Sequence, residues 1–245
     1  MKNPISKFIP FIGGEFPKHF DELIDLICPH ENISKEEIKI KIWRAYEFGS
    51  QYHSGQKRKS GESYFQTHCI EVAKTLASWK MDYVTIISGM LHDIIEDTDA
   101  TSSQVEKEFG KDVAYLINGV SKLSGIEFSN RSAKQAGNFM KMLISVAKDL
   151  RVIIIKFADR IHNMSTIEFL PRIKQHRIAI ETRDVYSPLA HRLGMAKVKW
   201  TLDDLVLKTL NPSIYKEIAD KLKSTNKNRE KYINKITKSI LEELN

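Results

Sequence analysis

The sequence predicts an all-α fold, and three observations carry that prediction. Helix-start signals recur along the chain at Ser34, Thr67, Asp82 and Thr101, each a residue type that can accept a bond from the orphan N–H groups of a first helical turn. No segment alternates apolar and polar residues over the length a half-buried strand needs. The one strand-like run, Val152–Ile155, is β-branched throughout, yet a lone strand in a helical chain would have no partner for its backbone. Residues 151–164 are therefore predicted to be helical against their local propensity.

In chain order, Ser34 and Glu37 match a capping box, followed by Ile38, Ile42, Ala45 and Gly49 at helical spacing. A glycine-flanked basic loop, GQKRKSGES at 55–63, comes next. Thr67 is expected to cap a helix whose inner face carries Ile70, Ala73 and Ala77. Asp82 is expected to cap another, running through Ile86, Ile87, Met90, Leu91, Ile94 and Ile95. Asp97–Ala100 punctuates, Thr101–Gln104 opens a short helix ending at Gly110, and 111–123 reads as a further helix. A polar loop around Gly125 and a helix over 133–148 follow. Pro171 and Pro188 punctuate the later helices, Gly194 follows one, and beyond Pro212 the chain reads as polar, Lys-rich helix.

Composition bounds the function without choosing it. The 245 residues are 42% hydrophobic and 28% charged, ordinary for a soluble globular protein. Cys28 and Cys69 form no CxxC pattern, so a disulfide framework is not expected and a reducing cytoplasm is. The N-terminus, broken by Pro4 and Pro10, lacks the continuous apolar region of a secretory signal, and no run is long enough to span a membrane. The net charge of +7 is concentrated late: residues 197–245 hold 11 Lys/Arg against 7 Asp/Glu. Such charge suits nucleic acid or a phosphorylated small molecule, or is merely a solvated surface. No nucleic-acid-binding motif accompanies it.

The chemistry-bearing residues fall in three places. In LHDIIEDT, residues 91–98, His92 and Glu96 lie four apart on a helix, as do Asp93 and Asp97. The surrounding residues are apolar, so burial of these groups would be costly without compensation, and a divalent cation supplies it. A solvated helix end is the competing reading. Asp159, His162 and Asn163 stand at i, i+3 and i+4 in a second apolar segment; an ion pair of Asp159 with Arg160 or Lys156 would also account for that carboxylate. His68 could add a nitrogen ligand or be an exposed first-turn histidine. Two imidazoles with two carboxylates suit Mn²⁺, Fe²⁺ or Zn²⁺ better than Mg²⁺. The third place is the loop holding Arg58, Lys59 and Ser60, whose charges and hydroxyl could grip phosphates beside a cation that offsets the acidic cluster. HExxH, P-loop, GxGxxG and GxSxG patterns do not occur.

Taken in order, HxGQxRKSGExY from His53, H…EVA from His68, LHDxxEDT, IKxADRxHNM and KQxRIAxET…YxPLAHRLGM resemble the RelA/SpoT-homologue family. The likeness is to the N-terminal HD-type hydrolase domain of its long, bifunctional members, over about Ala45 to Leu210. It implies an all-α, HD-superfamily helical hydrolase domain holding one Mn²⁺ per chain. It also implies removal of the 3′-pyrophosphate from guanosine tetra- or pentaphosphate, (p)ppGpp, a stringent-response alarmone, to leave GDP or GTP. By motif, the resemblance assigns the metal to His68, His92, Asp93 and Asp159, the catalytic acidic pair to Glu96 and Asp97, and substrate binding to Arg58, Lys59, Ser60, Asn163 and Thr166.

Three departures from the family pattern stand out. Three residues rather than two separate Tyr64 from His68, with Cys69 in place of a proline; Ser165 replaces an arginine; Gly137 and Met140 replace a glutamate and an arginine. The expected organisation is an N-terminal extension over 1–33, the hydrolase domain over 34–210, and a helical linker over 211–245 toward a synthetase domain that does not follow. The expected partners are the alarmone itself and, if the chain is a fragment, the synthetase and regulatory domains of its parent, with no membrane and no direct nucleic-acid binding. Without that second domain, no synthesis of ppGpp and little switching of hydrolysis by added nucleotides are expected. Hydrolysis of another nucleotide by an HD phosphohydrolase and a catalytically silent alarmone-binding module are the alternative readings.

Overall fold

The computed structural model describes residues 16–28, 33–124, 148–223 and residue 237. The loop around Gly125, residues 133–147 of the expected helix, and the departures at Gly137 and Met140 lie outside the described residues. The chain divides into two compact units, Met1–His162 and Asn163–Asn245. Among the described residues the elements are helical, with an isolated antiparallel bridge between Lys57 and Ser63 and no strand.

In the first unit, α1 (Lys18–Leu26) buries Phe20, Leu23 and Ile24 and packs on α3 (Ile70–Ser78). The capping box expected for α2 (Lys35–Tyr52) forms: Ser34 Oγ accepts from Glu37 N at 3.2 Å, while the Glu37 carboxylate accepts from Ser34 N at 3.1 Å. Asp82 caps α4 (Tyr83–Met90), accepting from Thr85 N at 2.8 Å. Thr101 and Gln104 form a second box at the start of α6 (Ser102–Phe109), which stops at Gly110 in a left-handed conformation, φ +91°. α7 (Lys111–Ser124) packs on α4 and α6. The run at 151–164 lies in α8 (Leu150–Ser165), with Val152, Ile153, Ile155, Phe157 and Ala158 buried. Tertiary burial of an apolar helix face overrides the β-propensity of its β-branched residues.

Two expected features of this unit differ. Thr67 does not cap a helix. It lies inside a π-turn, Phe65–Cys69, and its hydroxyl donates to Ser63 O at 2.7 Å. The helix capped by Asp82 also does not run on through Ile95. It ends at Met90, Leu91–Asp93 form a turn, and the single-turn helix α5 covers Ile94–Asp97.

Close approach sets the path around both. A β-carbon on Gly49 of α2 would fall 2.3 Å from a ring carbon of Phe65 and 3.0 Å from Leu91, both buried. Gly49 thus lets α2 touch the π-turn on one side and the α4–α5 turn on the other. Gly49→Ala is expected to destabilise the fold by about 1–3 kcal/mol, the usual cost of overpacking, read as a lower urea midpoint with an unchanged slope.

The second unit holds a 3₁₀ turn (Ile167–Phe169), α9 (Arg172–Glu181), a π-turn (Thr182–Tyr186), α10 (Ser187–Arg192), α11 (Ala196–Leu210) and a helix over 212–223. Pro171 precedes α9, a position where a missing N–H costs no helical bond, and Pro188 stands in the first turn of α10, directly after the π-turn. Met164, Ile167, Ala179 and Val206 form its core, with Leu170, Ile178, Leu205 and Leu210 against it.

Candidate metal centre

The site is built from the π-turn, the α4–α5 turn and the part of α8 up to His162, all in the first unit. The π-turn sits where the chain has its third residue between Tyr64 and His68. A π-turn takes up one residue more than an α-helical path between the same flanks, so His68 enters the core while Ile70, Val72 and Ala73 keep their buried face. His68, His92 and Asp159 are 1%, 0% and 3% exposed, and one potential ligand atom from each lies within 4.8 Å of the others. An exposed first-turn histidine is thereby excluded for His68.

Each ring is oriented by its far nitrogen. His92 Nδ1 lies 2.8 Å from Gly89 O, a carbonyl that can only accept, so Nδ1 carries the proton. Its Nε2 is buried without a hydrogen bond of acceptable geometry, although Asp93 Oδ2 stands 2.9 Å away and Asp159 Oδ1 3.7 Å away. His68 Nε2 faces the same two oxygens at 3.4 and 3.5 Å. Four donor atoms thus converge in a buried space.

The electrostatics follow from this crowding. Burial works against ionisation of Asp159, but the Lys156 ammonium and the His92 ring outweigh it and hold the carboxyl well below its usual range. Asp93 is held down in the same way by His92 and His68. Burial would lower His92, yet Asp93 and Asp159 push it up to about 10. Burial lowers His68 and the π-turn's neighbouring Cys69 thiol is pushed up by the same cause, so that thiol stays protonated. The carboxylates therefore demand a positive partner between them, which a divalent ion or a proton on His92 can provide.

The ion pair considered for Asp159 is present as well. Lys156 Nζ donates to Asp159 Oδ2 at 2.6 Å, while Oδ1 of the same carboxylate faces the histidines. The two readings of Asp159 are compatible because each uses a different oxygen. The Tyr64 hydroxyl, by contrast, donates at 2.6 Å to Asp93 Oδ2, the same oxygen that faces the two histidines. Donor set, burial and the orphaned His92 Nε2 all fit a divalent ion of intermediate softness.

The remaining candidate residues of the first unit lie around this centre unevenly. Glu96 and Asp97 are exposed on α5, and their backbone N–H groups donate to Asp93 O at 3.1 and 2.9 Å. The turn at Leu91–Asp93 removes the continuous column His92–Glu96, so the picture of four buried acidic-helix groups is corrected: the histidine and Asp93 go inward, the other carboxylates stay at the surface. Burial and the charge of Asp93 raise the Asp97 carboxyl.

The basic loop folds as a tight hairpin: Arg58 N donates to Glu62 O and Gly61 N to Arg58 O, both at 2.9 Å, with Gly55 and Gly61 at φ +77° and +89°. Lys59 is exposed, and the Ser60 hydroxyl donates to Glu62 Oε2 at 3.1 Å. Arg58 Nη1 turns inward to His162 Nδ1 at 3.0 Å, and that nitrogen lies 2.9 Å from His68 Nδ1. In the second unit, Asn163 is on the last turn of α8 and Thr166 immediately precedes the 3₁₀ turn. Sequence spacing singled out His162 without giving it a role and did not single out Tyr64; their partners are 94 and 29 residues away.

Comparison with known proteins agrees with this architecture. Residues 45–196 match the HD domain family. The chain is 44% identical over 221 residues to the bifunctional (p)ppGpp synthase/hydrolase SpoT of Escherichia coli (strain K12), covering 90% of this chain and 31% of that protein. It is 46% identical over 195 residues to a GTP pyrophosphokinase of Myxococcus xanthus, covering 78% and 26%. It is 42% identical over 215 residues to the guanosine-3′,5′-bis(diphosphate) 3′-pyrophosphohydrolase of Borreliella burgdorferi (strain ATCC 35210 / DSM 4680 / CIP 102532 / B31), covering 87% and 32%. The chain thus spans about a quarter to a third of the length of these relatives. With a match that takes in most of the described helices and every proposed metal ligand, the chain belongs to the HD domain family.

Proposed function

We propose that this chain is a manganese-dependent, cytoplasmic hydrolase that removes the 3′-pyrophosphate from guanosine 3′,5′-bis(diphosphate). The observation that carries the metal half of this reading is the buried, unbonded Nε2 of His92 among carboxylate oxygens. The substrate half is supported by the pyrophosphohydrolase from Borreliella burgdorferi and its 42% identity. No helix among the described residues is long and apolar enough to cross a membrane.

His68, His92, Asp93 and Asp159 would hold the ion. When bound, it would polarise a phosphoryl oxygen and acidify a coordinated water. Lys156 holds the Asp159 carboxylate by its far oxygen, and Tyr64 donates to the oxygen of Asp93 that faces the histidines. Asp97, with its raised carboxyl beside Asp93, and Glu96 accept the proton of the attacking water and return one to the departing pyrophosphate. Arg58, Lys59 and Ser60 bind the nucleotide's phosphates from the hairpin, and Asn163 and Thr166 contribute further substrate contacts.

The deciding experiment is incubation of the chain with ppGpp and Mn²⁺, with and without chelator, followed by separation of the nucleotides. GDP and pyrophosphate formed only with the metal are the expected products. Turnover of other nucleotides but not ppGpp would establish a different HD phosphohydrolase, and binding without turnover a silent module. Lys59→Ala should raise KM for ppGpp about tenfold, because a hydrogen bond to a charged group contributes about 1.5–3 kcal/mol. Metal content should not change, as Lys59 is exposed on the hairpin; titration of rate against substrate and elemental analysis check both halves.

A further inference from the structure

The site reading leaves His162 unused, although its ring lies between the basic hairpin and a proposed metal ligand. Arg58 Nη1 is 3.0 Å from His162 Nδ1 and His68 Nδ1 is 2.9 Å from the same atom, with the two imidazole rings 5.0 Å apart. We propose that His162 is a positioning residue which, polarised by Arg58, fixes the tautomer and orientation of His68 so that His68 offers Nε2 to the metal.

The argument is one of donors and acceptors. A guanidinium can only donate. The His162 Nδ1 that faces Arg58 must therefore be the lone-pair nitrogen, and its proton must be on Nε2. The His68 Nδ1 that faces the same lone pair must then carry a proton. A neutral His68 is left with its lone pair on Nε2, the atom that faces Asp93 Oδ2 and Asp159 Oδ1. His92, when neutral, takes the same tautomer by a shorter route, through Gly89 O. The two histidines thus use different supports for one outcome: a backbone carbonyl for His92, a side-chain lone pair aimed by an arginine for His68. Outer partners of this kind orient a ligating imidazole, and their loss costs about 10–100-fold in metal affinity.

One consequence separates Arg58 from its neighbour Lys59. Arg58 sits in the substrate hairpin but acts on the metal centre through His162, so its replacement should weaken metal binding even with no nucleotide present. This inference rests on the metal reading of the site and not on the identity of the substrate.

Two measurements test it. Long-range proton–nitrogen NMR on the metal-free chain should show His68 protonated on Nδ1 and His162 on Nε2; an Nε2-protonated His68 would overturn the proposal whatever the metal or substrate. The second is Mn²⁺ affinity of purified chain by direct titration. His162→Phe keeps the ring but has no acceptor, and should weaken binding about 10–100-fold. His162→Asn can place an amide oxygen near the lost nitrogen and should recover most of that loss. Arg58→Met should weaken binding by a smaller factor and Lys59→Met should not change it. Equal affinity in wild type and His162→Phe, or an Asn variant as weak as the Phe variant, would overturn the proposal. If His162→Phe does not fold, the tautomer measurement and Arg58→Met decide alone. A positive result beside a failure to hydrolyse ppGpp would leave the relay standing and remove only the substrate reading.

Discussion

Asp159→Ala should leave the chain without bound metal and without turnover, the largest functional loss of any single change considered. Its Oδ1 faces both histidine Nε2 atoms and its Oδ2 holds Lys156. A methyl group can do neither. The loss of a direct ligand should exceed the roughly 10–100-fold cost of losing an outer partner. The same change removes the carboxylate that accepts from the Lys156 ammonium, which is 8% exposed, and breaking a buried pair from one side costs about 3–5 kcal/mol. Alanine therefore confounds ligation with stability. Asp159→Asn separates them: it keeps the shape and one oxygen, and removes the charge that the metal and Lys156 share. Elemental analysis of each purified variant, beside a thermal melt, reads the two effects independently. One Mn²⁺ per folded chain in both variants would mean that Asp159 serves only Lys156. Asp93→Ala should likewise lose metal, with Tyr64 as the group left behind.

The parts legible in the sequence were those fixed by neighbours in the chain. Ser34, Asp82 and Thr101 cap the helices their spacing predicted, because a cap is completed within three residues. The helical state of residues 151–164 could be reached by excluding a strand without a partner. What escaped was set by packing between distant segments. The turn at Leu91–Asp93 breaks a run of apolar residues that reads as one helix, where Leu91 meets Gly49 of α2. The π-turn has no periodicity of its own over five residues, and Thr67, a plausible cap by type, is simply one of its members. Within the site, burial of His92 and Asp159 was legible from their apolar surroundings. The relation of His162 to Arg58 spans 104 residues and that of Tyr64 to Asp93 spans 29; no local pattern encodes either.

Glu96→Gln and Asp97→Asn should differ from the ligand variants by keeping the metal while lowering turnover about 10²-fold or more, the usual scale of general acid–base loss. Both side chains lie on α5, one turn beyond Asp93, and both are solvent-accessible where the four proposed ligands turn inward. That places them where water arrives. Amide replacements keep size and hydrogen bonding and remove only the capacity to take a proton. Asp97 makes the sharper prediction because burial and the Asp93 charge raise its carboxyl above the ordinary range. A base must be ionised to act, so turnover should fall as pH drops through the Asp97 carboxylate pKa. Asp97→Asn should remove that acidic limb together with most of the rate, whereas Glu96→Gln should lower the rate and leave the limb in place. Rate–pH profiles at saturating ppGpp and Mn²⁺, with metal content measured on the same samples, check both. An unchanged limb in Asp97→Asn would assign the base elsewhere, loss of metal would make Asp97 a ligand, and wild-type rates in both variants would leave the acidic pair without a part in the chemistry.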